Sequence, residues 1–164
     1  MNAGAYGGEM KDVLLSCRHL ERDGSAGELR GDALGLSYRH SVYSENGAVI
    51  LSIVVGLKPG DPKEIGARMD DLMERRRSKQ PLEFPSAGSV FKRPLGNFAG
   101  TLIESCGLKG ATVGGAQVSE KHAGFIVNRG GATCEDVLRL IAKIQETVLR
   151  ETGVALECEV RTIG

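Results

Sequence analysis

A lone hydroxyl, Ser89, stands in the segment PSAGSVFKRP, from Pro85 to Pro94, between the flexible pair Ala87 and Gly88 and the cationic pair Lys92 and Arg93. Glycine at that place lets the backbone turn tightly and approach a ligand closely, and two cations downstream suit an anionic group such as a phosphate. A hydroxyl so placed is a candidate for chemistry. Taken alone, the stretch reads first as a polar loop leading into a strand, since short motifs recur by chance.

The elements that must position this loop are legible in part. Lys11 to His19 reads as a strand, and Gly47 to Leu57 holds the apolar run AVILSIVVGL, whose β-branched residues suit a buried strand. Between them, Arg22 to Gly35 is rich in glycine and charge and reads as a surface connection delivering Tyr38 and Arg39. KPGDP then breaks the chain. Asp61 is an N-cap with Pro62 at the first helical position, and Ile65, Met69, Leu72 and Met73 recur on one helix face as far as Arg77. The run Arg75–Arg77 closes that helix, where cations favour the negative end of its dipole.

After the serine loop, a helix is expected from Asn97 to Gly107, with Phe98, Leu102 and Ile103 inward and glycine as the left-handed cap. Gln117–Val118 and Gly124 to Asn128 read as short strands joined by the polar turn SEKHA. The last helix is capped by Thr133 with Asp136 three residues on. It carries the stripe Val137, Leu140, Ile141, Ile144 and Val148 and ends before Gly153. A closing strand from Leu156 to Ile163 carries Glu159 and Arg161 on one face, which alone reads as cross-strand charge decoration. This order, without regular βαβ alternation, argues for an α+β architecture with helices packed on an antiparallel or mixed sheet. A boundary near KPGDP divides residues 1–60 from a compact domain of residues 61–164.

Composition narrows the function classes. A chain of 164 residues with 41% hydrophobic content is long enough to bury a sizeable core. Lys plus Arg and Asp plus Glu both number 21, so no overall field favours a nucleic acid or an anionic membrane, and any phosphate site must be local. Cys17, Cys106, Cys134 and Cys158 are scattered, with no CxxC and no histidine at ligand spacing, so reduced buried thiols are expected and no metal. The start MNAGAYGGEM lacks a charged segment followed by an apolar one, and no apolar run reaches the roughly 20 residues of a bilayer span, so a cytoplasmic location is expected.

Four further segments travel with the serine loop: NAGAYGGE from Asn2, YRHS from Tyr38, GGAQVSEKHAGFIVN from Gly114, and the ending ECEVRTIG from Glu157. Together and in this order the five resemble the MurB family of UDP-N-acetylenolpyruvoylglucosamine reductases, over the whole chain. The short interval between YRHS and KQP is similar to the family's more compact subclass. The resemblance implies a flavoprotein of peptidoglycan synthesis, serving cell-wall biogenesis, shape and division, that reduces the enolpyruvyl ether of a UDP-sugar to the lactyl ether with NADPH through bound FAD.

It also implies site residues. Ser89 corresponds to the family's proton donor, Arg39 to its conserved-motif arginine and Glu159 to its acidic partner. Hydride arrival builds negative charge beside the substrate carboxylate, so cations and a proton source belong there. Arginine's planar fork suits a carboxylate becoming an enediolate. Glu159 orients Arg39, polarises the substrate carboxylate or belongs to the proton path. Tyr38, Lys79 and Arg93 match positions near the nucleotide-sugar. Asn97 either holds a phosphate at the helix start or only caps it. Glu120, Lys121 and His122 lie on a turn that faces the cleft by resemblance and is equally well read as solvated.

The family's N-terminal flavin domain has no counterpart, because the match begins in mid-pattern at Met1. What remains of the flavin contacts is Asn2, Gly4, Ala5, Tyr6 and Gly7, on the edge of a partial flavin-binding layer. The chain is accordingly expected to be a monomeric fragment that cannot turn over alone, its partners the enolpyruvyl UDP-sugar and the flavin domain. The alternative is a free-standing UDP-sugar binding module without catalysis. In either case Ser89, Arg39 and Glu159 are expected to meet around a hollow that admits a sugar's side arm.

Overall fold

The computed structural model describes residues 1–163; Gly164, the last residue of the ECEVRTIG ending, lies outside the described residues. The chain divides into two compact units, Met1–Met69 and Asp70–Gly164.

In the first unit, β1 (Gly4–Ala5) and β2 (Gly8–Glu9) pair across a turn whose two central residues, Tyr6 and Gly7, have φ of 51° and 84°. That double positive φ matches the twist of a two-residue hairpin. Asn2, 2% exposed, braces it: Nδ2 donates to Glu9 Oε2 (2.7 Å) and Oδ1 accepts from the Lys11 amide (2.9 Å). Met10–Asp12 forms a 3₁₀ turn, so the expected strand begins later, as β3 (Leu14–Leu20). β3 is the centre of a three-stranded antiparallel sheet between β4 (Ala26–Arg30) and β5 (Val49–Val55).

Two expectations fail here. β4 occupies the stretch read as a surface connection. Its charged residues face out, and its glycine is needed because a Cβ on Gly27 would sit 2.5 Å from His19 Nε2. β5 is not buried: its apolar residues are 38–60% exposed, because it is an edge strand and both of its faces are open. The buried side of this sheet is partly polar. His19, 3% exposed, sets Nε2 3.0 Å from Glu21 Oε1 and Nδ1 2.8 Å from the Tyr43 hydroxyl, which donates to the Cys17 carbonyl (3.3 Å).

Helix α1 (Pro62–Lys79) starts as expected, with Asp61 Oδ1 accepting the amides of Lys63 (2.7 Å) and Glu64 (3.3 Å). It buries none of its residues, so the stripe Ile65, Met69, Leu72 and Met73 faces no core.

The second unit is a four-stranded antiparallel sheet in the order β6 (Ser86–Ser89), β9 (Phe125–Asn128), β8 (Ala116–Val118), β7 (Thr112–Val113), packed with α2 (Ala99–Ser105) and α3 (Cys134–Thr152). The fold class is α+β, as the element order implied. α3 follows its sequence closely. Thr133 Oγ1 accepts from the Asp136 amide (3.1 Å), Asp136 Oδ2 accepts from the Thr133 amide (2.9 Å), and Gly153 ends the helix at φ 72°. Leu140, Ile144 and Val148 are fully buried with Ile103, Ala116 and Val118.

α2 is shorter than expected. Phe98 takes the extended N-cap position and is 58% exposed, so only Ile103 and Ala99 of this helix are buried. The closing strand contracts to one bridge, Cys158 with Phe91, flanked by the Lys92 amide donating to Glu157 O (2.8 Å) and the Glu159 amide donating to Val90 O (2.8 Å). Of the four free cysteines only Cys17 is buried; Cys134 is exposed.

Gly27→Ala is expected to destabilise the first unit by about 1–3 kcal/mol, because the new methyl group must displace His19 from its bonds to Tyr43 and Glu21. Urea denaturation followed by circular dichroism measures this; an unchanged midpoint would show that the imidazole yields at no cost.

Candidate active site

Ser89 closes β6 next to a bulge. Ser86 pairs with Val127 and Ser89 with Phe125, so Ala87 and Gly88 together oppose Ile126. Gly88 adopts φ 92°, open only to glycine at low cost, and Ser86 Oγ pins the bulge by donating to Ile126 O (2.8 Å) and accepting from the Gly88 amide (3.1 Å). Val90 turns inward, 2% exposed, and Ser89 therefore turns outward, with Oγ donating a long 3.5 Å bond to Phe91 O.

Glu159 arrives from the chain's end. Its amide bonds to the Val90 carbonyl, so its Cα lies across the backbone from the residue that follows Ser89. His122 lies near Ser89, on the turn that leads into β9. Ser119, 3% exposed, accepts the amides of Lys121 (3.1 Å) and His122 (3.3 Å) and so shapes the SEKHA turn. His122 Nδ1 accepts from the Gly124 amide (3.1 Å), and its ring meets Phe125 edge-on at 5.0 Å. A Cβ on Gly124 would lie 3.0 Å from His122 Cε1 and 3.7 Å from Ser89 Oγ, and one on Gly100 would lie 3.1 Å from the same Cε1. The imidazole thus packs close against two glycines, and the space that a side chain on Gly124 would take borders both the ring and the serine hydroxyl. Burial holds its pKa below the ordinary histidine value.

The other residues named from sequence in this unit are more dispersed. Arg93 is exposed, with its guanidinium 3.9 Å over the Phe98 ring. Asn97 precedes the N-cap of α2 and donates to Leu95 O (3.3 Å), so it does not cap that helix. Glu120 lies against Gly110, where a Cβ would meet Oε1 at 2.1 Å. Lys121 Nζ donates to Arg77 O (2.7 Å) and lies 3.5 Å from Glu83 Oε2. Lys79, the last residue of α1, is exposed. The sequence reading placed Ser119 in the SEKHA turn and Gly124 at a strand start without giving either a part at the site, and it did not single out Ser86 or Gly100.

In the first unit, Tyr38 and Arg39 form the tip of a tight turn closed by Ser37 and His40. Arg39 has φ 54°, a left-handed conformation that a long side chain rarely adopts, and its guanidinium lies 5.1 Å from the Tyr38 ring centroid. His40 clamps the turn: Nδ1 meets Gly35 O at 3.0 Å and Nε2 meets Glu45 Oε1 at 2.8 Å. Two acceptors require two donors, so the bond to Glu45 first, then that to Gly35, raise the pKa of His40.

The hairpin residues fit a flat cofactor unevenly. Ala5, Tyr6 and Gly7 are exposed at its tip, with room for a ring to approach the backbone, since a Cβ on Gly7 would meet nothing within 4 Å. Gly4 is filled by Glu9, 2.9 Å from a built Cβ, and the Asn2 amide is committed to Glu9 and Lys11, so these two shape the hairpin. Among the described residues, no cluster of three His, Cys, Asp or Glu could hold a metal, and no helix is long and apolar enough to cross a membrane.

The second unit thus brings together an exposed strand-edge hydroxyl, the backbone of Glu159 paired with the residue after it, and a turn-borne imidazole. Residues 80–163 match the family model described as UDP-N-acetylenolpyruvoylglucosamine reductase, C-terminal domain. The chain is 57% identical over 164 residues to the UDP-N-acetylenolpyruvoylglucosamine reductase of Latilactobacillus sakei, covering 100% of this chain and 54% of that one. To the protein of the same name from Clostridioides difficile it is 52% identical, with the same coverage. The crystal structure of UDP-N-acetylenolpyruvylglucosamine reductase (MurB) from Thermus caldophilus superposes with a TM-score of 0.84 at 37% identity, over 98% of this chain and 57% of that one. The chain belongs to the UDP-N-acetylenolpyruvoylglucosamine reductase family, and it spans about half the length of the relatives it matches. The matched domain contains Ser89, Arg93, Asn97, Glu120, His122 and Glu159.

Two expectations follow. The His122 imidazole, held neutral by burial, contributes stability that is present above about pH 6.5 and is lost as pH falls through its lowered folded value. His122→Asn should therefore flatten the fall in melting temperature on acidification below pH 6.5; an unaltered slope would assign that fall to other groups. Arg39→Gly should melt no lower than Arg39→Ala, because glycine accepts the left-handed turn without the roughly 1–2 kcal/mol that L side chains incur there. A lower melting temperature for the glycine variant would show the turn to be unstrained.

Proposed function

We propose that this chain is the substrate-binding and proton-donating half of a reductase that converts UDP-N-acetylglucosamine enolpyruvate to UDP-N-acetylmuramate in peptidoglycan synthesis. When bound, FAD supplies the hydride and NADPH replenishes it. Everything else is done by side chains. The enolpyruvyl double bond takes a hydride at its methylene carbon, and its electron pair moves onto the neighbouring carbon and the carboxylate. Arg39 grips that carboxylate, its charge held at every accessible pH. Ser89 Oγ gives its proton to the carbanion-like carbon. A serine hydroxyl is a feeble acid, so the step depends on a strongly basic enediolate held within reach.

What carries this reading is the bond from the Glu159 amide to the Val90 carbonyl (2.8 Å), which sets a carboxyl-bearing residue beside an exposed hydroxyl in the order the family motifs require. The 3.5 Å bond from Ser89 Oγ to Phe91 O supports it as well, because a hydroxyl so weakly held turns readily toward a substrate. In this reading Glu159 belongs to the proton path. His122 lines the same side of the sheet as a neutral hydrogen-bonding group. Tyr38, Lys79, Arg93, Asn97 and Glu120 serve the nucleotide-sugar, and the tip of the β1–β2 hairpin, Ala5 to Gly7, would hold the flavin. A neutral imidazole and an exposed hydroxyl equally serve recognition alone, which is the reading of a UDP-sugar binding module.

Ser89→Ala in the full-length enzyme separates the two. NADPH-dependent bleaching of the flavin should survive, while its reoxidation by the enolpyruvyl substrate slows at least 100-fold, a loss of about 2.7 kcal/mol of barrier lowering. Equal losses in both half-reactions under stopped flow would remove Ser89 from proton transfer. Full reoxidation rates with weakened substrate binding would favour the recognition role.

A further inference from the structure

β6 meets β9 with one residue more than a regular ladder allows. Ser86 pairs with Val127 and Ser89 with Phe125, so three steps along β6 answer two along β9. Directly opposite residues of an antiparallel pair share a face, and successive residues alternate between faces. Val118 pairs with Ile126, and both belong with Val90 to the buried core cluster. Phe125, Val127, Ser86 and Ser89 therefore lie on the other face, where the His122 ring meets Phe125.

Without the extra residue the faces exchange. A ladder continued unbroken from Ser86 and Val127 sets Ser89 opposite Gly124, on the face of Ile126 and the core, and throws Val90 outward. The bulge is thus what brings the hydroxyl out, and one side chain ties its two strands together. Ser86 Oγ donates to Ile126 O (2.8 Å), on the residue that faces the insertion, and accepts from the amide of Gly88 (3.1 Å), which closes the insertion. A hydroxyl donates and accepts at once, so a single oxygen serves both groups, and no aliphatic side chain serves either.

We propose that Ser86 is the positioning residue for Ser89: its hydroxyl fixes the bulge whose register turns the Ser89 side chain out of the core. Ser86 acts through Ser89 and takes no part in proton transfer itself. Its bearing on turnover rests on the reading of Ser89 as proton donor given above, whereas its hold on the register does not.

Four variants test this: Ser86→Ala, Ser86→Thr, Ser89→Ala and the double variant Ser86→Ala with Ser89→Ala. In this chain, nuclear magnetic resonance should show the Gly88 amide of Ser86→Ala exchanging with solvent about 10-fold faster than in the parent, and Ser86→Thr should restore its protection. In the full-length enzyme, Ser86→Ala should bleach with NADPH at the parent rate and bind the enolpyruvyl substrate with unchanged affinity. Its reoxidation by that substrate should slow by about 10- to 100-fold, since a displacement of about 1 Å at the reacting group costs that much. Ser86→Thr should recover most of the rate. The double variant should reoxidise no more slowly than Ser89→Ala, because with that hydroxyl gone nothing remains to be positioned. Unchanged Gly88 exchange, a parent reoxidation rate in Ser86→Ala, or additive losses in the double variant overturns the proposal. Fast reoxidation by Ser89→Ala alongside a loosened Gly88 amide would uphold the hold on the register and remove the proton-donor reading instead.

Discussion

The carbonyl and amide groups of Val90, Phe91 and Lys92 are the constraint on which the second unit depends. Val90 and Phe91 are buried at 2% and 3% exposure, so their backbone polar groups cannot be left to water and must be paired within the fold. The Val90 amide donates to Gly124 O (2.9 Å) on one side; on the other, Val90 O accepts from Glu159 and the Lys92 amide donates to Glu157 O, both at 2.8 Å. Pairing the backbone of Val90 and of Lys92, on either side of buried Phe91, therefore draws in the start of β9 at Gly124 from one direction and residues 157–159 from the other. The outward turn of Ser89 and the arrival of Glu159 are consequences of closing the core. The ion pair of Lys92 with Glu157 lies on the same seam but is mostly exposed, so it adds far less than the backbone bonds do.

How much of this was legible follows from how local each signal is. Thr133, Asp136 and the stripe through Val148 announce α3 because cap, periodicity and stop all sit within one helix, and Asp61 with Pro62 announces the start of α1 in the same way. β4 was hidden because its edge position permits charged residues at alternate places and its one close approach, Gly27 on His19, is invisible without the partner strand. The burial expected of β5 failed because an apolar run reports what a strand would bury, not what is present to cover it. Phe98 was misplaced because its ring is taken by Arg93 rather than by the core. At the site, the motifs name Ser89 and Glu159, but their adjacency is a backbone pairing across some seventy residues that no periodicity encodes. The packing of His122 against Gly100 and Gly124 is likewise tertiary.

Among the described residues, the two non-glycine residues at positive φ are Tyr6 and Arg39. Such conformations persist only where the surroundings over-determine them. Tyr6 is held by the two-residue hairpin that Asn2 braces, and Arg39 by the Ser37–His40 closure and the bonds of His40. Both residues were named from the family motifs for ligand contact. In both, a large side chain occupies a turn position where glycine or asparagine would be relaxed.

The two histidines near named site residues are driven in opposite directions. Burial lowers the pKa of His122, and hydrogen bonds to Glu45 and Gly35 raise that of His40. A raised folded pKa contributes stability below the unfolded value near 6.5 and loses it as pH rises through the folded one, whereas a lowered one does the reverse. Each unit thus has its own titrating clamp with the opposite sign. Acid uncouples His122 from the Gly124 amide, since a protonated Nδ1 no longer accepts. Alkali strips His40 of the second proton it needs to bridge Gly35 and Glu45. Between those limits the turn bearing Arg39 and the turn beside Ser89 both hold their proton states, and that interval brackets the common starting value from which the two shifts diverge.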